Sequence, residues 1–346
     1  VIGCKGGAKT GNDTARVAGE IVIVAELDGG GLRDEGQRAA SDALQAHPNL
    51  RGIFAINDPS ALGAWTALQQ QGKEDQIVIV GFDGQEEGLQ AIKEGKIYAD
   101  PIQFPAEMGV VTVQNIVKYI NGEDFERTQL IPTKLYTKAD AMKADEAAAN
   151  GQSDDTATNN DSPDDEPADG ESTDAPKEQG KIAFSALTLK NPFFKVIADS
   201  LTAEAKKHGF SVIVNDAERD VNTQSQHVDN YIAQNVTAIV LNPADRIGIG
   251  AAVKKANAAG VPVFTCDLQC VAEGAEIAGH VGTDNYQGGK LAGQAMIDAL
   301  GAEGGEVLIL HFKQANSCVL RVQGFREVIE AHNKALREKS GASNKS

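Results

Sequence analysis

Short β-branched runs alternate with amphipathic segments along most of the chain. Before position 139, residues 21–27, 53–56, 77–82 and 96–102 are almost wholly apolar and read as strands. Apolar residues recur at helical spacing over 34–46, 59–71, 85–94 and 106–120, which predicts a helix after each strand. Beyond position 180 the pattern returns. Strands are predicted at 182–187, 211–215, 238–241, 261–266, 277–281 and 306–311, and helices at 192–208, 223–234, 247–259, 286–300 and 318–331. Strands that are apolar throughout, rather than alternating, belong to parallel sheets covered on both faces. Repeated strand–helix units mean an α/β fold, and 346 residues are enough for two doubly wound sheets rather than one.

Between the two runs the pattern stops. Residues 139–179 are mostly Ala, Asp, Ser, Thr, Asn and Pro, too poor in large apolar side chains to offset their ordering entropy, so they are predicted to be an acidic disordered linker. Nine acids and no Lys or Arg lie between Gly151 and Pro176, which accounts for over half of the net charge of -17. That sign of charge argues against nucleic acid as a partner. The stretch lacks the loop spacing of a calcium site.

The start carries a separate signal. Val1-Ile2-Gly3-Cys4 resembles the end of a bacterial lipoprotein leader, in which the cysteine is acylated, and residues 1–19 read as a polar tether behind that anchor. No apolar run is long enough to span a bilayer. Cys266 and Cys270 could form a disulfide or stay as free buried thiols, and the His and Cys residues fit no usual zinc spacing.

In doubly wound sheets, ligands bind beyond the carboxyl ends of the strands. Those ends supply Asn191, Phe193 and Phe194, then Asp267, and in the first half Asn57, Phe82, Asp83 and Gln103. The set has no nucleophile–base arrangement, no Gly-x-Gly-x-x-Gly after a first strand and no P-loop, so neither an enzyme nor a need for a cofactor or metal is predicted. Carboxylates accept from paired hydroxyls, amides offer both donor and acceptor, and aromatic rings cover the C–H faces of a sugar. A neutral polyol fits. Asn191 also stands where a helix cap belongs, Asp267 and Asp83 could cap helices, Asp58 is expected to cap the helix at Pro59, and Arg321 reads as a structural ion-pairing residue.

Several motifs in register carry a family resemblance. Lys190-Asn191-Pro192-Phe193-Phe194, Val261-Pro262-Val263 with Asp267, Thr283-Asp284-Asn285 with Gly288-Gly289, and Arg321-x-x-Gly324-Phe325 resemble the amino-terminal half of the ribose-binding-protein family of periplasmic binding proteins. Ala46-His47-Pro48, Asn57-Asp58, Val80-Gly81-Phe82-Asp83-Gly84 and Gln103 resemble its carboxy-terminal half. The resemblance implies a type I fold of two lobes joined by a hinge, with the halves in circularly permuted order. One lobe is expected from residues 20–103, 132–138 and 284–336, the other from 104–131 and 180–283, with a flexible tail at 337–346. A linker of roughly 40 residues, with an r.m.s. reach of about 35 Å, can join the family termini.

The implied function is capture of a monosaccharide in the cleft and delivery to the permease of an ABC importer, by a monomer in the periplasm or cell envelope that touches the membrane only through its lipid. A sugar-sensing ectodomain serving a chemoreceptor or kinase is the alternative. The binding positions of the family fall on Asn191, Phe193, Phe194, Asp267, Asn57, Phe82, Asp83 and Gln103. Four others depart: Leu187 stands where ribose binders have Ser, Leu268 and Val319 where they have Arg, and Gly31 where they have Phe. Two missing guanidiniums remove rigid multi-donor groups, so ribose itself is not the expected ligand.

Overall fold

The computed structural model describes residues 17–149 and 179–343. Cys4, most of the tether and most of the acidic linker lie outside the described residues.

In the first part of the chain, β1 (Ile21–Asp28), α1 (Arg33–Ala46), β2 (Leu50–Ala55), α2 (Asp58–Gln71), β3 (Val78–Val80), α3 (Glu86–Glu94) and β4 (Ala99–Ile102) alternate. They are followed by α4 (Pro105–Asn121), β5 (Thr128–Ile131), β6 (Lys134–Thr137) and α5 (Lys138–Ala149). The second part runs β7 (Gly180–Ala186), α6 (Pro192–Lys207), β8 (Phe210–Asp216), α7 (Val221–Ala233), β9 (Ala238–Leu241), α8 (Gly250–Ala258), β10 (Val263–Cys266) and β11 (Gly279–Thr283). It ends with α9 (Asn285–Leu300), β12 (Gly305–His311) and α10 (Asn316–Ser343).

Two six-stranded sheets result, ordered β1-β12-β2-β3-β4-β6 and β5-β11-β10-β9-β7-β8. Every pairing is parallel except β4 with β6. Each sheet is buried on both faces. In the first, Ile53, Ile79, Leu308 and Leu310 pack under α1 and α2, while Phe54, Val80, Val307 and Ile309 face α9 and α10. In the second, Phe184 and Val240 face α4 and α6, while Ala183, Ile239 and Val263 face α7 and α8. This is why the strands carry no polar alternation.

Among the described residues the chain passes directly between the sheets three times: from β4 to α4, from β5 to β6, and from β11 to α9. The crossings are bonded to one another. Asp284 N–H donates to the Ile131 carbonyl at 2.9 Å, and Thr133 Oγ1 donates to Gln287 Oε1 at 2.7 Å. Thr283 Oγ1 donates to Gln103 Oε1 at 2.6 Å.

Two boundaries differ from the sequence reading. The linker was expected to begin at 139, yet α5 continues to Ala149. Ala is a strong helix former, Ala141 is buried beside Ala91 and Ile92, and Lys93 pairs with Asp145 at 2.7 Å. The flexible tail expected from 337 is the end of α10. Arg337 there pairs with Glu20, and His332 and Asn333 bond the backbone of Gly19 and Ile21.

Candidate functional site

The strand ends of the two sheets face each other at the crossings, and an arginine occupies the centre. Arg321, on α10, is 5% exposed. Its Nε donates to Asn285 Oδ1 at 2.8 Å, and one terminal nitrogen donates to the Ile56 carbonyl at 2.7 Å and to Asp83 Oδ1 at 2.8 Å. The guanidinium lies 3.9 Å from the centroid of the Phe82 ring. A charge this deeply buried needs both its carboxylate and its neutral acceptors.

Asp83 follows β3 with a backbone φ of 111°, in the left-handed region. The turn is pinned on both sides: Asp83 N–H donates to the Pro101 carbonyl at 3.2 Å, and Gln103 N–H donates to the Asp83 carbonyl at 2.8 Å. Its carboxylate accepts from Gln103 Nε2 at 2.6 Å and from Gln85 Nε2 at 3.3 Å, besides Arg321. Burial raises its pKa against the pull of those three donors.

Asp267 follows β10 and also has a left-handed backbone, with φ of 60°. Its N–H donates to the Val281 carbonyl at 2.8 Å, while its carboxyl group has no hydrogen-bond partner among the described residues. Burial pushes its pKa up to about 7, with Arg321 pulling down and Asp83 pushing up. A buried carboxyl with a raised pKa and no protein partner among the described residues is equipped to accept from, or donate to, a ligand hydroxyl.

The remaining predicted residues divide. Asn191 caps α6 with Oδ1, accepting from Phe193 N–H at 3.0 Å, and its Nδ2 is unpartnered among the described residues. Phe193 and Phe194 meet edge to face at 5.3 Å, and both are buried. Phe193 also edges a small recess with Asp83, Gly84, Gln85, Pro105 and Pro192, a place where the two lobes touch. Asn57 spends both ends of its amide within its own lobe, as α2 cap to Ser60 N–H at 3.1 Å and as donor to the Gly31 carbonyl at 3.0 Å. It therefore takes the capping role expected of Asp58. Phe82 is fully buried beneath Arg321.

Beside this cluster lies a cavity of about 880 Å³ that draws on both lobes. Asp267 is the one residue it shares with the predicted set. Leu187, Ile247, Leu268, Phe312 and Leu320 give it a largely aliphatic wall, with Arg219 and Arg246 among its polar residues. Arg246 reaches Asn316 of the other lobe at 3.4 Å. Asn285 and Asn242 were not singled out from the sequence. Asn242 immediately follows β9 and is fully buried, with its Nδ2 bonded to the Cys266 carbonyl and its Oδ1 unsatisfied. The strand-end rule applies to it as it does to Asp267.

Cys266, Cys270 and Cys318 are buried free thiols. Among the described residues, no group of three or more His, Cys, Asp or Glu could hold a metal ion, and no helix is long and apolar enough to cross a membrane.

A family profile described as periplasmic binding protein domain matches residues 5–124 and 182–344. The ribose import binding protein of Bacillus subtilis is 41% identical over 125 residues, covering 36% of this chain and 40% of that protein. The D-apiose import binding protein of Paraburkholderia graminis is 37% identical over 149 residues, covering 43% and 47%. The chain thus spans about half the length of the curated relatives it matches. Among solved structures, an ABC transporter solute binding protein from Mycobacterium smegmatis with bound glycerol is 32% identical, with a TM-score of 0.41 over 43% of this chain and 51% of that one.

Proposed function

The chain belongs to the periplasmic binding protein domain family and has its type I fold, and from that premise we propose that it captures a sugar between its lobes and presents it to the permease of an ABC importer. The observation that carries the reading is the meeting, at the crossings, of hydrogen-bonding groups from both lobes: Asp267 and Asn191 from one, Asp83, Gln103 and Arg321 from the other, beside a cavity open to both. The family profile and the relatives are of binding proteins, so we read the protein as a binder and not an enzyme. A ligand bonded to both lobes favours the closed arrangement and shifts the population toward it.

Leu187 and Leu268 on the cavity wall offer no donors. A hydroxyl buried against them would lose its bonds to water, at a cost of about 1–3 kcal/mol. Ribose should therefore bind weakly, and another aldose or a deoxy-sugar, with more C–H surface, should bind better. Calorimetry against pentoses, hexoses, deoxy-sugars and polyols tests this, with small-angle scattering on the best binder to detect compaction. Absence of any saccharide binding would overturn the function. Sub-micromolar ribose affinity would overturn only the choice of sugar.

The permuted order of the halves belongs to the same proposal, supported by strand order. Counting from β7, the second sheet reads 2-1-3-4-5 from β8 to β11, a common doubly wound order. The first sheet gives the same order from β1 to β4 only if β12, the last strand in the chain, is counted as its first. We also place the protein in the periplasm or cell envelope, anchored by acylation of Cys4. Expressed with a lipoprotein leader, it should incorporate labelled fatty acid, and Cys4→Ser should abolish the label; equal labelling of the variant removes the anchor from the proposal.

A further inference from the structure

Behind the Asp83 turn lie two more carboxyl groups, Asp58 at the start of α2, 1% exposed, and Asp100 on β4, fully buried. Asp58 Oδ2 accepts the Gln85 N–H at 2.7 Å. Its Oδ1 has no donor, nor has either oxygen of Asp100. The N–H of nearby Gly81 already donates to the Ala99 carbonyl at 3.1 Å. The two carboxyl groups are within hydrogen-bonding reach of each other. Space around them is closed, since a Cβ on Gly88 would lie 2.1 Å from Asp58 Oδ1 and one on Gly81 2.4 Å from Asp100 Oδ1.

If both groups were ionised, three buried acceptor oxygens would face each other without a donor, combining like-charge repulsion with unsatisfied desolvation. One proton removes the conflict. It makes one carboxyl a donor and leaves the other to accept.

We propose that Asp58 and Asp100 share a single proton, and that the protonated pair is the positioning device for Asp83. The connections are short. Gln85 gives its N–H to Asp58 and its Nε2 to Asp83. Asp100 lies on the strand whose next residue, Pro101, accepts the Asp83 N–H. The pair thus joins the two segments that frame the turn, and loss of its proton would push them apart. Burial, and then the negative charges of the pair and of Asp83, hold Asp58 well above the usual carboxylate range. Burial raises Asp100 to about 6, despite its hydrogen bond to Asp58. Among charged groups on the surrounding elements, Arg321 of α10 is committed to Asp83, and Glu86 and Glu87 of α3 are exposed.

The consequence for binding rests on the proposed contact between ligand and Asp83; the shared proton does not. The test is therefore ligand-free: carbon-13 NMR of labelled Asp carboxyl groups in the full chain from pH 4.5 to 9. The pair should titrate in two coupled steps, the upper one well above the usual carboxylate range. The side-chain amide signals of Gln85 and Gln103, both donors to Asp83, should move over that upper step. Asp100→Asn supplies a permanent donor and should abolish the upper step and the movement of both amides. If that variant does not fold, Asp58→Asn supplies the donor from the other side. Complete ionisation of both groups below pH 5 in the unmodified chain would overturn the shared proton. An upper step that leaves the Gln85 and Gln103 signals unmoved would overturn the positioning role. Failure to bind any saccharide would count against the proposed function and leave these signals unchanged.

Discussion

Asp267 combines a left-handed backbone, a carboxyl group without a partner and a pKa near 7, and these together set its cost to the fold. A carboxyl whose folded pKa is raised contributes stability that is fully present below its unfolded value, about 3.9, and is lost as the pH rises through about 7. Asn tolerates the left-handed region and does not ionise. Asp267→Asn should therefore raise the melting temperature at pH 8 while leaving it nearly unchanged at pH 4, with each kcal/mol worth roughly 2–4 °C. Differential scanning calorimetry at the two pH values decides, and an equal shift at both would remove ionisation as the cause. The same substitution should weaken the bound sugar by about tenfold, since a charge-assisted bond is worth ~1.5–3 kcal/mol. That Asp83, Asp267 and Gln103 follow strand ends was legible from the apolar runs before them. Arg321 reads as an ion-pairing residue and is one, but its partner was not legible, because Asp83 is 238 positions away and only the fold joins them.

Elements were legible where packing and local pattern agree. The strands buried on two faces were recognised at positions 21–27, 238–241 and 306–311, close to where β1, β9 and β12 lie. β5 and β6 went unread. Each is four residues long, sits at a sheet edge and mixes exposed with buried side chains, so neither offers an apolar run. The far part of α10 was missed for another reason: residues 334–339 are mostly charged, and no apolar stripe announces a helix that Arg337 ties to Glu20 instead. The tight seam between α9 and α10 is likewise invisible in the sequence. A Cβ on Gly289 would fall 2.1 Å from the Arg321 carbonyl, so the absence of a side chain there sets how closely α10 approaches and where the guanidinium stands. The Gly-Gly pair could be read from the sequence, but its opposing backbone could not.

At the scale of the molecule, chain order and spatial order separate. β1 and β12 are parallel neighbours, yet they lie near opposite ends of the described chain. The end of α10 rests against the residues that precede β1: Leu336 would be 3.3 Å from a Cβ on Gly19, and Arg337 pairs with Glu20. A helix feeding directly into β1 would complete the βα repeat that both sheets otherwise follow, which is what the permutation proposal asserts. It makes a demanding prediction. A rearranged chain carrying residues 180–338 first, joined by a few Gly and Ser residues to 20–149, keeps every strand pairing and both crossings that frame Gln103 and Asp284. Parallel neighbours are held by packing, and closing a short loop between adjacent ends differs from the present connection by only about 1–2 kcal/mol. The rearranged protein should give the same circular dichroism, a melting temperature within roughly 5 °C and the same order of preference across the sugar panel. An insoluble product, or a folded one with a different ligand order, would mean that the present order of the halves is itself required by the fold or the cleft.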